Sequence, residues 1–265
     1  MRTIHIYWLA GLLQLGTFMA AAQRAPGSGS DYRLIAHRGG IIDSLAAENS
    51  LPALERAIAR GYWMVEVDLR LTADSVLITQ HDRNFRRYFG VDSAVNTMSW
   101  HSIQQLRSEF GSSVLSFEEV LRQCSGRIRV MIDNKIEGLD TVLFGKVVAL
   151  LRKYNLDKDA IMIGTSASTG FFTGKVRLSC TRKQLEENMR KPGYRPSDYY
   201  LFSGDISGDD MRWARQHDIM VVGAINERNP DSPEAKERAR AKAVKMQRAG
   251  VKTYQIDSAF EDLFE

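Results

Sequence analysis

Trp63-Met64-Val65-Glu66-Val67-Asp68-Leu69-Arg70, then only Leu71 to Ser75, then Val76-Leu77-Ile78-Thr79-Gln80: this pair of apolar runs decides the fold. A parallel crossover needs a dozen or more residues, so runs this close pair only as an antiparallel hairpin. Working outward, further strand-like runs cover 32–37, 127–133, 159–164, 175–180, 199–203, 219–225 and 252–257. Helical patterns fall at 48–60, 99–109, 117–123, 138–154, 181–190, 207–217 and 234–249, with Ser116 and Glu119 spaced as a capping box. Strand and helix alternating this often predict a parallel sheet wrapped by helices. Setting aside the returning arm of the hairpin leaves eight parallel strands, the number that closes a barrel of about 250 residues. The fold expected is an α/β, distorted (β/α)8 TIM barrel. The hairpin and a loop-rich insertion from His81 to about Met98 lie over its carboxyl-end rim. One link, Thr165 to Gly174, is too short for a full helix and is expected to hold a loop or a single turn.

Barrel chemistry sits at the carboxyl ends of the strands. Those ends carry His37 and Arg38, then Glu66 and Asp68, then His81 on the returning arm, then Asp133 and Lys135. Glu66 and Asp68 are two apart on one strand, so both face one side, the lumen. The turn centred near Asp74 brings His81 back to the level of Asp68. Buried carboxylates are costly without a cation. Three of them with no cysteine nearby suit a hard divalent ion, Ca²⁺ or Mg²⁺. The alternative is a set of buried salt bridges to Arg38, Arg70 and Lys135. Two histidines converging on such a site are a candidate general base and general acid. Arg38 and Lys135 at the same rim offer a planar fork and a point charge to an anionic ligand that three carboxylates would otherwise repel. His101 and His217 lie on polar helix stretches and read as surface residues.

Bulk properties agree with a globular enzyme. Thirty-six Lys and Arg against 32 Asp and Glu leave a net charge of +4, scattered, which does not point to nucleic acid. The basic stretch Lys236 to Arg248 is interleaved with Ala239, Ala243, Val244 and Met246, so it reads as a solvated helix face rather than a membrane contact. Residues 1–22 have another character: Arg2, an apolar run through Tyr7 to Leu13, and a small-residue end at Ala20-Ala21-Ala22. That is the pattern of a secretory signal peptide, with an apolar run short of the roughly 20 residues that span a bilayer. Residues 23–30 read as a flexible lead-in and 31–265 as the barrel domain. The protein is expected to be exported, to the periplasm or the medium. Cys124 and Cys180 fall at different ends of the barrel and are expected to be free thiols.

Ile35-Ala36-His37-Arg38-Gly39-Gly40, Ala47-Glu48-Asn49-Ser50, Glu66-Val67-Asp68-Leu69 with Thr72, and His81-Asp82 together resemble the signature of the glycerophosphodiester phosphodiesterase family. Asp133-Asn134-Lys135, Val221 to Asn226 and Ile256-Asp257 resemble its later strands. The resemblance implies hydrolysis of glycerophosphodiesters to glycerol 3-phosphate and an alcohol. It implies that His37 and His81 are acid and base and that Glu66, Asp68 and Asp133 bind the metal. Arg38 and Lys135 would hold phosphate, and Glu48 and Asn49 would support metal and substrate hydroxyls at the rim. This chain departs from the pattern in places. Asp133 stands for a customary glutamate, Ala47 for a proline and Ser75 for a glycine. Gly223 stands for a tryptophan, a change expected to widen the pocket. The competing readings are a barrel phosphodiesterase for larger lipids, of the lysophospholipase D or sphingomyelinase D type, and a non-catalytic phosphate- or polyol-binding barrel.

Overall fold

The computed structural model describes residues 31–43 and 45–265; the expected signal peptide and lead-in lie outside the described residues. In chain order the strands are β1 (Arg33–Ala36), β2 (Met64–Leu71), β3 (Leu77–Thr79), β4 (Asn84–Phe85), β5 (Val91–Ala94), β6 (Arg129–Asn134), β7 (Ile161–Ile163), β8 (Arg177–Cys180), β9 (Tyr199–Ser203), β10 (Met220–Ile225) and β11 (Thr253–Ile256). The helices are α1 (Leu51–Ala59), α2 (Arg86–Phe89), α3 (Trp100–Ile103), α4 (Phe117–Cys124), α5 (Thr141–Lys153), α6 (Thr169–Phe172), α7 (Arg182–Asn188), α8 (Gly208–Gln216) and α9 (Pro233–Ala249).

Eight parallel strands close on themselves in the order β1, β2, β6, β7, β8, β9, β10, β11 and back to β1. β3 pairs antiparallel with β2, Leu69 opposite Thr79 and Leu71 opposite Leu77. The expected barrel and hairpin are both present. The register differs slightly from expectation, because the Gln80 amide meets the Asp68 carbonyl at 2.9 Å and His81 lies one residue further on.

Burial on both faces explains why the strands read as nearly continuous apolar runs. Val65, Val67 and Leu69 face outward into the helix layer, while Met64 joins Ile35, Met131, Ile161, Tyr200 and Val222 inside the barrel. Alternation then dictates what lies above this apolar plug: Glu66 and Asp68 above Met64, and Asp133 above Met131. The parallel register sets Glu66 beside Met131 and Asp68 beside Asp133.

Helix starts follow their caps, including the capping box of Ser116 and Glu119 on α4. α9 buries Ala235, Ala239, Ala243 and Met246 and leaves its basic residues outward. The Thr165–Gly174 link holds the single turn α6, whose Phe171 and Phe172 rings pack on Phe144 of α5 and cover the barrel wall. The insertion is more ordered than the loop anticipated. β4 and β5 pair in it, and Phe85, Val95, Ile103 and Val114 form a small core with Ile78. The expected helix over 99–109 is only one turn, α3. Cys124 and Cys180 are buried and free. Among the described residues no helix is long and apolar enough to cross a membrane.

Candidate active site

The first turn of the site is forced by sterics. After β1 the chain turns through His37–Gly39 with Arg38 at φ 53° and doubles back at Asn49, φ 52°. A Cβ on Gly39 would lie 2.5 Å from the Asn49 backbone, and one on Gly40 would lie 2.1 Å from the Ala53 carbonyl. Only glycine allows these strands of chain to touch. Their approach brings Glu48 and Asn49 beside the ends of β1 and β2.

Glu66, Asp68 and Asp133 each offer an oxygen within 4.8 Å of the others. The first two carboxylates are 1% exposed. Burial, reinforced by the charges of Asp68 and Asp133, pushes the Glu66 carboxyl well above its usual range. One Glu66 oxygen accepts the Arg38 amide at 2.7 Å, and the other meets no donor among the described residues. Lys135 lies 3.1 Å from Asp68 and 2.6 Å from Asp133; these two charges outweigh burial and hold its ammonium above the usual range. Asn49 donates to Asp68 at 2.9 Å. Arg70 turns away, its guanidinium on the carbonyls of Gln80 and His81. The salt-bridge alternative therefore holds for Lys135 alone. One lysine cannot neutralise three acids, and an open buried oxygen beside them fits a hard cation.

Each imidazole has its own carboxylate. His37 Nδ1 lies 2.6 Å from Asp257, while its Nε2 faces Glu66 at 4.0 Å and the Asn226 amide at 3.5 Å. His81 Nδ1 lies 2.8 Å from Asp82. Burial lowers the His81 pKa, against the opposing pull of Asp68 and Asp82. The Arg38 guanidinium bonds Glu48 at 3.1 Å, and its buried Nε has no acceptor among the described residues. Burial pushes Glu48 up to about 7, opposed by Arg87 and Arg38. Beside the acids, between insertion and rim, lies a cleft of about 370 Å³ lined by Arg70, Thr72, Arg83, Asn96, Lys135 and Glu137.

All nine candidate residues thus gather at one mouth. Gly223 does not. A Cβ there would meet Tyr254 at 2.9 Å and the Met246 sulfur at 3.0 Å, in the layer between β10 and α9. Its neighbours on the strand, Val222 and Ala224, take the other face. The expectation of a widened pocket is therefore incorrect: this position faces away from the lumen. His101 is exposed, and His217 packs at a tilt against Trp213 and bonds its carbonyl, both outside the mouth. The candidate list lacked Asp82, Arg87, Asn226 and Asp257. Asp82, Asn226 and Asp257 stand inside the stretches that resemble the family; Arg87 has no spacing signal, because a folded insertion delivers it.

The arrangement defines an α/β barrel with an acidic triad and two carboxylate-held imidazoles at its carboxyl mouth. Residues 33–163 match the model of the Glycerophosphoryl diester phosphodiesterase family. Lysophospholipase D GDPD3 of Mus musculus is 28% identical over 149 residues, 51% of this chain and 44% of that protein. Probable glycerophosphodiester phosphodiesterase 2 of Mycobacterium tuberculosis is 32% identical over 101 residues, 38% of each chain. These alignments span less than half the length of either relative. Among solved structures, a glycerophosphoryl diester phosphodiesterase from Parabacteroides distasonis superposes with a TM-score of 0.70 at 16% identity, over 87% of this chain and 84% of that one. A phosphodiesterase from Oleispira antarctica in complex with sn-glycerol-3-phosphate gives 0.67 at 16% identity, over 87% and 96%. At such identity these superpositions establish the shared barrel.

Proposed function

We propose that this protein hydrolyses glycerophosphodiesters to glycerol 3-phosphate and an alcohol, using His37 and His81 as its acid–base pair. The observation carrying the reading is that both imidazoles, each braced by a carboxylate, open on one cluster of acids with an unsatisfied buried oxygen. Glu66, Asp68 and Asp133 would hold one divalent cation, Ca²⁺ or Mg²⁺. When bound, that ion draws electron density from phosphorus and offsets the acids' charge. Asp257 and Asp82 accept the Nδ1 protons and leave each Nε2 for proton transfer. One imidazole takes the proton of the attacking oxygen, from water or from the substrate's own glycerol hydroxyl, and the other protonates the departing alkoxide; on the second branch a water then opens the resulting cyclic phosphate to glycerol 3-phosphate. Arg38, with an open buried Nε, and Lys135 bind the phosphate oxygens. Glu48 holds Arg38 and Asn49 holds Asp68. A pure binder would need no such pair of oriented imidazoles.

A panel of glycerophosphocholine, glycerophosphoethanolamine and lysophosphatidylcholine tests this, with EDTA followed by Ca²⁺ or Mg²⁺. Turnover should vanish with chelation and return with one of the ions. His37→Ala and His81→Ala should each lose about 10²-fold or more in rate while the fold survives. No turnover on the panel, or near-full turnover in either variant, would refute the reading. The lysophospholipase D relatives favour a second reading in which the larger lipid is preferred, and the ratio of rates within the panel decides it. We also propose export directed by residues 1–22. N-terminal sequencing of the mature protein should begin after Ala22.

A further inference from the structure

We propose that Arg87 is a positioning residue for the reaction, one guanidinium that holds Asp82 against His81 and Glu48 against Arg38. The inference rests on the roles given above to His81 and Arg38. Arg87 Nε lies 2.8 Å from one Asp82 oxygen, and the other Asp82 oxygen lies 2.8 Å from His81 Nδ1. Arg87 Nη2 bonds one oxygen of Glu48, and the other Glu48 oxygen bonds Arg38 at 3.1 Å. The Arg38 amide in turn bonds Glu66. A continuous polar chain therefore runs from one imidazole, through the insertion, to the phosphate-facing arginine and the acid cluster.

The neighbours of Arg87 show that this is not merely a basic stretch. Arg83 pairs with Glu137 and Arg86 with Asp92, all four well exposed, and exposed pairs of that kind contribute little. Arg87 reaches inward instead, to a Glu48 carboxylate that is 2% exposed. Its path is set by α2, anchored through Phe85, which is fully buried and packs edge-on against Phe89. Tyr88 flanks the guanidinium at 4.9 Å. Two carboxylates addressed from one planar group call for arginine; a lysine, a point charge, serves one at a time.

The groups facing His81 are Asp68 from β2, Asp82 from its own segment, Arg38 and Glu48 from the chain between β1 and α1, and Lys135 beyond β6. Without Arg87, the Asp82 carboxylate keeps its full charge for His81 and holds the imidazolium proton more firmly. The His81 limb of the rate profile then moves to higher pH.

The test uses the full chain with its activating cation and glycerophosphocholine. Arg87→Met should lose at least tenfold in kcat/KM and show the upward shift of that limb. Millimolar guanidinium, but not urea, should restore part of the loss. Arg87→Lys should fall between Met and wild type, and Arg86→Met should match wild type. Wild-type rates with an unmoved profile in Arg87→Met overturn the inference. So does a loss with neither a shifted limb nor guanidinium rescue, which would mark a structural role only. If Arg87→Met fails to fold, Arg87→Lys carries the test: a reduced rate with a shifted limb supports the inference, and wild-type behaviour overturns it. If wild type itself turns nothing over, the reading of the site fails. NMR titration of His81 in wild type and Arg87→Lys then decides the Arg87 link alone, and an unmoved titration overturns it.

Discussion

Asp257 shows how a single residue fixes the orientation of a histidine. It follows β11, its second oxygen is fixed by the Glu227 amide at 2.8 Å, and its first is aimed at His37. A carboxylate in that place orients the ring and selects the Nδ1–H tautomer. Asp257→Asn keeps the shape and removes the charge. The variant should lose about tenfold or more in kcat, within the 10²–10⁴ that a placed acid–base group contributes. Steady-state kinetics check this; an unchanged kcat would remove Asp257 from the site. Ser75 illustrates a smaller effect: it closes the hairpin at φ 61°, a conformation glycine adopts more easily.

At the scale of elements, the insertion is a folded unit with a core of its own rather than a loop. Phe85 is fully buried among Ile78, Val95, Ile103 and Val114, a cluster separate from the one lining the helix layer. Truncating such a ring typically costs about 3–5 kcal/mol. Phe85→Ala should therefore lower the urea midpoint, and amide exchange should rise first across residues 81–98. Exchange rising equally across the barrel strands would contradict a semi-independent insertion. Activity should fall in parallel, because the same unit carries His81, Asp82 and Arg87. The neighbouring economy is α6, where two aromatic rings cover barrel wall that a longer helix would otherwise screen.

For the molecule as a whole, the mouth is a concentration of buried acid. Glu66 and Glu48 both have folded pKa values above their unfolded ones, Glu48 at about 7. A raised carboxyl binds more protons folded than unfolded, so its contribution is present below the unfolded pKa of about 4.5 and is lost as pH rises to the folded value. Without divalent ion the protein should therefore melt higher at pH 5 than at pH 8. A cation bound to the triad offsets the charge, and mass action adds about 2.7 kcal/mol at a hundredfold excess over Kd. Calorimetry at both pH values with EDTA, Ca²⁺ and Mg²⁺ checks this. An apo Tm that rises from pH 5 to pH 8, or one indifferent to either ion, would contradict the charge account.

Period and spacing were enough to specify the barrel. Five residues between two apolar runs exclude a crossover, and a two-residue step puts Glu66 and Asp68 on one face; both are local geometry. The gathering of His37, Glu66, Asp68, His81 and Asp133 followed, since every parallel strand ends at the same rim and the hairpin's antiparallel arm returns His81 to it. What only the tertiary structure decided are contacts between residues far apart in the chain. Asp257 reaches His37 across the closing seam of the barrel, Arg87 reaches Glu48 from a folded insertion, and Gly223 faces α9 because the strand's register turns it outward. Such pairings depend on closure and packing, and a sequence carries no spacing that encodes them.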